Sequence, residues 1–112
     1  MSVQLSVFVG FAVKLDYKLY KDNKELEKYE YIYKETTHSV FFVSDGMNGE
    51  YIYLINPKAI VQQEDLYRRG CEHQITNLKL SDKKEMKRLY RLITGTELND
   101  EKIQMLMFAH CW

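Results

Sequence analysis

This chain of 112 residues lacks a long apolar run, an excess of charge of either sign and a basic leader. No segment approaches the roughly 18 consecutive apolar residues of a membrane-spanning helix. The start of the chain, Met1 to Val13, has no basic region, so we expect no secretory signal and a cytoplasmic protein. Its 16 Lys and Arg balance its 16 Asp and Glu, which argues against a dedicated nucleic-acid binder and against an acidic mimic of DNA.

Motifs of catalysis and cofactor binding are also missing from the sequence. It contains no Walker-type loop and no G-x-G-x-x-G, and its acidic residues suggest no carboxylate pair for acid–base work. Gly46 and Gly49 lie between two predicted strands, whereas a phosphate cradle needs a helix N-terminus. We therefore expect a protein that is not an enzyme, with no cofactor and no catalytic residue.

The sequence has only two cysteines, and each lies next to or near a histidine. The set that could in principle bind zinc is Cys71, His73, His110 and Cys111. Familiar zinc fingers use ligand pairs about two to four residues apart, and this spacing does not match them. We expect free thiols and no metal. A small Cys/His metal protein or enzyme remains the third functional hypothesis, and it requires that these side chains meet in space.

The most informative pattern that is present is an alternation at the start of the chain. Every odd position from Val3 to Leu19 is apolar, and a period of two places these side chains on one face of a strand. We predict a strand from about residue 2, a bend or bulge at Gly10, and a continuation to Leu15. Phe8 falls on the opposite face, so the middle of the strand is expected to be covered on both sides.

The next part of the chain predicts a hairpin with a turn-rich loop. Residues 39–43 and 50–55 are short runs rich in apolar residues, and the loop between them holds D-G and N-G dipeptides. We predict that the second strand stops at Pro57, because proline cannot donate to a sheet, and that residues 59–61 form another strand or an edge. Residues 16–35 fit either helix or strand; we favour a helix over about 17–28 and then a short strand.

The last third of the chain predicts two helices, over about residues 82–94 and 100–110. The first has an apolar stripe at helical spacing, formed by Met86, Leu89, Tyr90 and Ile93. The second has Asn99 as its cap. The predicted fold is thus a small single α+β domain, residues 1–112. An antiparallel sheet of about three to five strands from residues 2–61 packs with the two C-terminal helices.

The leading functional hypothesis is a small protein–protein interaction module, such as an inhibitor, an immunity protein or an accessory protein of phage or mobile-element type. Nine tyrosines are heavy use for this length, and tyrosine suits both half-buried sheets and contact surfaces. An exposed loop tip is a common contact point. The predicted partner-binding residues are Asp45, Met47, Asn48, Tyr51 and Tyr53.

The alternative is a nucleic-acid-binding regulator that uses the basic face of the helix at 82–94. Its predicted contacts are Lys84, Lys87, Arg88 and Arg91, which recur at helical spacing opposite the apolar stripe. Such a stripe grips phosphates in a salt-dependent way, although most basic helix faces are simply solvated. A homodimer is compatible with every hypothesis, because open sheet edges invite pairing.

Overall fold

The structure, a computed structural model, describes residues 5–19, 24–31, 38–45, 49–67, 72, 75 and 79–111. Its main elements, in chain order, are strands β1 (Leu5–Leu15), β2 (Phe41–Ser44) and β3 (Ile52–Gln62), helix α1 (Lys83–Thr94) and strand β4 (Gln104–Cys111). Short 3-10 turns cover Tyr17–Leu19, Lys24–Tyr29, Gln63–Tyr67 and Asp100–Lys102. The predicted mixed α+β class is confirmed.

The four strands form one antiparallel sheet in the order β2-β3-β1-β4. The long strands β1 and β3 lie in the centre. Their register shifts beside Gly10, where the partners step from Ala59 to Pro57 and leave Lys58 unmatched. This is the irregularity predicted at Gly10. A Cβ atom at Gly10 would lie 2.3 Å from the carbonyl oxygen of Asn56 and 2.8 Å from the Cα atom of Pro57, so the two backbones approach too closely there for a side chain.

The sheet bends over on itself at this shift. Tyr53 pairs with Lys14 on β1, whereas Phe108 pairs with Phe8, six positions away along the strand. In a flat sheet that separation is about 20 Å, yet the Tyr53 and Phe108 rings stack with their centroids 4.0 Å apart. The even-numbered residues of β1 therefore line a concave face, and the odd-numbered residues line a convex face.

The bend divides the sheet into two arms. The covered arm consists of β2, Ile52 to Asn56 of β3 and Phe11 to Leu15 of β1. The open arm consists of Pro57 to Gln62, Leu5 to Gly10 and the whole of β4. On the convex side of the covered arm lies α1, whose apolar stripe packs with buried sheet residues that include Val13, Phe42 and Leu54.

A second core fills the concave side of the sheet. It contains Phe8, Tyr31 and Phe41, whose rings contact one another with centroids 4.8 to 6.0 Å apart. Phe8 and Ala12 are therefore buried as expected, but the expectation that the middle of β1 is covered on both faces is wrong. The odd-numbered face of β1 is buried only at Val13 and Leu15, while Val7 and Val9 stay partly exposed.

The predicted second C-terminal helix over residues 100–110 is wrong. Asn99 does act as a cap, since its side chain accepts a hydrogen bond from the Glu101 amide at 3.1 Å, but the helix is a single 3-10 turn. Residues 104–111 form β4 instead, so one strand comes from outside residues 2–61. The residues from Met105 to Ala109 are apolar at both odd and even positions. They therefore face both sides of a bent sheet and do not form one stripe of a helix.

Two smaller predictions also need correction. Pro57 does not end the third strand, because β3 continues to Gln62 after the register shift, and residues 59–61 belong to it. Where the helix over 17–28 was predicted, the described residues form 3-10 turns at Tyr17–Leu19 and Lys24–Tyr29, and residues 20–23 lie outside the described part of the chain. Of the short strand predicted over 29–34, Glu30 makes an isolated bridge to Phe42, and residues 32–34 lie outside the described part of the chain.

Candidate interaction surfaces

The convex side of the open arm is an apolar sheet face without a helix from the core over it. By strand register it carries Leu5, Val7, Val9, Ala59, Val61, Met105, Met107 and Ala109, and it extends to Phe11, the first covered-arm residue of β1, which pairs with Met105. We call this set the convex face. Of the two hydrophobic cores formed by described residues, neither contains any of these side chains.

Two methionines are the most exposed apolar side chains of the convex face. Met107 is 74% exposed and Met105 is 42% exposed, and they are the only large hydrophobic residues classed as exposed in the described part of the chain. Lys58 lies at the rim of the face, with its ammonium 5.9 Å from the centroid of the Phe11 ring. The surface is thus apolar in the middle and polar at its border, as protein contact surfaces are.

The two edges of the sheet are finished differently. At the β2 edge, the Tyr31 amide donates to the Phe42 carbonyl at 2.8 Å, and the Ser44 hydroxyl donates to Glu30 at 3.2 Å. At the other edge β4 is eight residues long, pairs with β1 in unbroken register and contains no Lys, Arg, Asp, Glu or Pro. Within the described residues β4 has a strand on one side only.

Only part of the predicted loop site lies within the described residues. Met47 and Asn48 lie outside the described residues. Asp45 is buried, with 5% of its surface exposed. Its amide donates to the Tyr51 carbonyl at 2.9 Å, and its carboxylate accepts from the Glu50 amide at 3.2 Å. Asp45 therefore holds the loop in shape.

Tyr51 and Tyr53 are engaged on the concave side. The Tyr51 hydroxyl lies 2.8 Å from Nδ1 of His110, and Tyr53 stacks on Phe108. His110 is 7% exposed, and desolvation lowers its pKa, an effect that the nearby charge of Asp45 opposes. These contacts tie the start of β3 in the covered arm to β4 in the open arm, and they stabilise the bend.

The four predicted nucleic-acid contacts do converge on one surface. Lys84, Lys87, Arg88 and Arg91 line a groove of about 450 Å³ together with Glu97 and Leu98. Two of the four cations are paired, because Lys87 lies 2.7 Å from Asp100 and Arg88 lies 2.7 Å from Glu85.

The ion pairs also change the titration of their carboxylates. The hydrogen bond from Arg88 lowers the pKa of Glu85, and hydrogen bonds from Lys83 and Lys87 lower the pKa of Asp100. Lys84 and Arg91 have no ion-pair partner among the described residues. Among the described residues, two of the four cations in the groove are therefore without an ion pair.

The Cys/His set is not assembled in the part of the chain that the structure describes. His110 lies on β4 and contacts Tyr51 on the concave side, and Cys71 and His73 fall outside the described residues. No group of three or more His, Cys, Asp and Glu side chains among the described residues is placed to hold a metal ion. No described helix is long and apolar enough to cross a membrane.

Sequence reasoning missed the convex face because it assigned the residues of β4 to a helix. The available signal was the alternation of β1 itself. Nine odd apolar positions specify one long apolar face, while the single apolar stripe of α1 is too short to cover all of it. No known protein family model, curated protein or solved structure matches this chain.

Proposed function

We propose that this chain is a non-enzymatic protein–protein interaction module that works in the cytoplasm and binds its partner through the convex face. The observation that carries the proposal is the exposure of Met105 and Met107 in the middle of an apolar sheet face. An exposed apolar patch of a few hundred Å² on a monomeric protein is often the place where another surface binds.

Methionine is well suited to the centre of such a contact. Its side chain is unbranched and polarisable, so it adapts to partner surfaces of different shapes. The underlying sheet is rigid, because Val7, Val9 and Phe11 are held between two neighbouring strands. The rigid base limits the backbone entropy that binding costs, so the ordering cost is confined to the side chains. Small inhibitors and accessory proteins of phage or mobile-element type are the proposed class.

The test is affinity purification of the tagged chain from its native host, with three variants compared. We expect a stoichiometric partner with the wild type, and its loss with M105S/M107S. The matched control is Glu97→Gln, an exposed change at the basic groove, which should retain the partner. A partner that stays bound to M105S/M107S would refute this surface.

The predicted loop site is tested in the same experiment. A Tyr53→Leu variant removes the phenol but keeps an apolar side chain. Loss of the partner with this variant alone, with thermal stability unchanged, would move the contact to the loop around Asp45, Met47, Asn48 and Tyr51.

Nucleic-acid binding is the second candidate, since four basic side chains line one groove on α1. Lys84 and Arg91 are the two without an ion-pair partner among the described residues, so we expect neutralisation of about two phosphates and a log–log salt slope of about −1.8. K84E/R91E should abolish retention on DNA or RNA. Absence of retention by the wild type at low salt would end this candidate.

A further inference from the structure

We infer that β4 pairs with the β4 strand of a second copy of this chain, in antiparallel register about a twofold axis. The inference deepens the proposed function, on which it rests for the use of the convex face. The pairing itself uses backbone groups of the sheet edge, which the proposed partner contact does not need.

The two edges of the sheet differ in how their backbone groups are protected. Proteins protect exposed edge strands with charge, proline, bulges, short length or a covering segment. The β2 edge is four residues long and is covered by Glu30 and Tyr31. The β4 edge is eight residues long, regular and free of Lys, Arg, Asp, Glu and Pro, and no strand among the described residues pairs with its outer side.

The open β4 edge suits a second copy of the same strand. An antiparallel strand pair is self-complementary, so the same edge on two copies meets every requirement of a twofold contact. The β4 strand has no formal charge that would repel its own copy or select an oppositely charged partner. Like charges opposite each other are what normally prevent such pairing.

The convex face of one copy is smaller than a stable interface. The convex face spans three strands and about seven residues, which is on the order of 300 Å² of sheet. A stable interface needs about 800 Å² from each partner. Two copies joined at β4 place their convex faces side by side and give one apolar surface of about 600 Å², which with its rim approaches that size. The second copy therefore completes a surface that one copy has only in part.

The twofold axis is placed at Met107. Residues that face each other across an antiparallel pair must share a face, so residue numbers of opposite partners add to an even value. In the register that pairs Met107 with its own copy, Met105 lies opposite Ala109 and Leu106 lies opposite Phe108. This register sets the most exposed large apolar side chain of the described residues beside its own copy, at the centre of the joined convex faces.

The register is tested by cysteine cross-linking in a C71S/C111S background. In the Met107→Cys variant, the Cα atoms of the two introduced cysteines lie about 4.5–5.5 Å apart. This distance allows a disulfide to form. We expect a rapid covalent dimer. Ala109→Cys is the matched control on the same strand and face. Its copies lie four residues out of register, about 13 Å along the strand, so it should not cross-link within the dimer.

Sedimentation of the wild-type chain across a concentration series gives an independent measurement. We expect a species of twice the 13.4 kDa chain mass, and concentration-dependent protection of β4 amides from hydrogen exchange. A monomer at every concentration would overturn the pairing and leave the proposed partner contact standing. A dimer in which Ala109→Cys links as fast as Met107→Cys, or in which neither links, would overturn the edge register. If Met107→Cys cross-links and the M105S/M107S variant still binds the partner, the proposed partner contact is refuted and the β4 pairing stands.

Discussion

The covered arm and the open arm share the same two central strands, yet only the covered arm is buried on both faces. At Val13 and Leu15 the odd-numbered face of β1 meets α1, and both side chains are buried. At Val7 and Val9 the same face of the same strand is partly exposed. The apolar pattern of the strand does not change between these positions, so local sequence does not decide which residues form the core.

The difference comes from the size of what packs against each arm. The α1 helix has 12 residues and ends at Gly95, whose amide bonds to the Arg91 carbonyl at 2.8 Å. A helix of this length is about 18 Å long, whereas β1 with 11 residues is about 36 Å long. One arm is therefore covered and the other presents its apolar face.

The largest expected effect is on the covered arm. Phe42 is fully buried between α1 and the sheet, and Phe42→Ala removes a ring and leaves a cavity. We expect a loss of about 3–5 kcal/mol in the free energy of unfolding, measured by chemical denaturation. A loss below 1 kcal/mol would mean that α1 does not hold this arm together.

The next effect is at the bend between the arms. Gly10→Ala would place a methyl group 2.3 Å from the Asn56 carbonyl oxygen, which is backbone and cannot rotate away. We expect destabilisation of about 1–3 kcal/mol from overpacking. Val7→Ala is the control, since it alters β1 away from the bend. If Gly10→Ala is no worse than Val7→Ala, the two arms are not locked by close contact at this point.

Sequence patterns predicted the parts of the fold that rest on local signals. The β1 alternation, the irregularity at Gly10, the hairpin of β2 and β3, and the α1 stripe each follow from spacing within one segment. The end of α1 at Gly95 also depends on a single residue, because only glycine adopts its left-handed conformation without cost.

The remaining features depend on contacts between distant segments. Residues 104–111 are apolar at both parities, and only their partner β1 decides between strand and helix. Pro57 ended a strand in the sequence interpretation, whereas the shift beside Gly10 gives it a place inside β3. For the candidate sites, helical spacing brought the four basic residues together correctly. It could not show that Asp100 and Glu85 pair with two of them.

A smaller effect concerns the hydrogen bond that joins the arms. Tyr51→Phe removes the hydroxyl that lies 2.8 Å from Nδ1 of His110 and should cost about 1 kcal/mol. The Tyr53–Phe108 stack would remain. Thermal denaturation of Tyr51→Phe against the wild type measures this loss. No change would mean that ring stacking alone maintains the bend.

The same cluster predicts a pH dependence of stability. Burial lowers the pKa of His110 below its ordinary value of 6.5, so on acidification the unfolded chain takes up this proton first. The contribution of His110 is fully present above 6.5 and is lost as the pH falls through the lower folded pKa. The stability difference between wild type and His110→Gln should shrink on acidification below that value. A difference that stays constant would place His110 outside the buried cluster.

The smallest expected effect is on the convex face of the open arm. Met107 is 74% exposed and belongs to neither core, so Met107→Ser should change the unfolding free energy of the dilute chain by less than about 0.5 kcal/mol. Phe42→Ala and Met107→Ser then differ in opposite ways: the first removes stability, and the second removes association. A Met107→Ser chain that unfolds as readily as Phe42→Ala would show that the convex face is part of the core and not a contact surface.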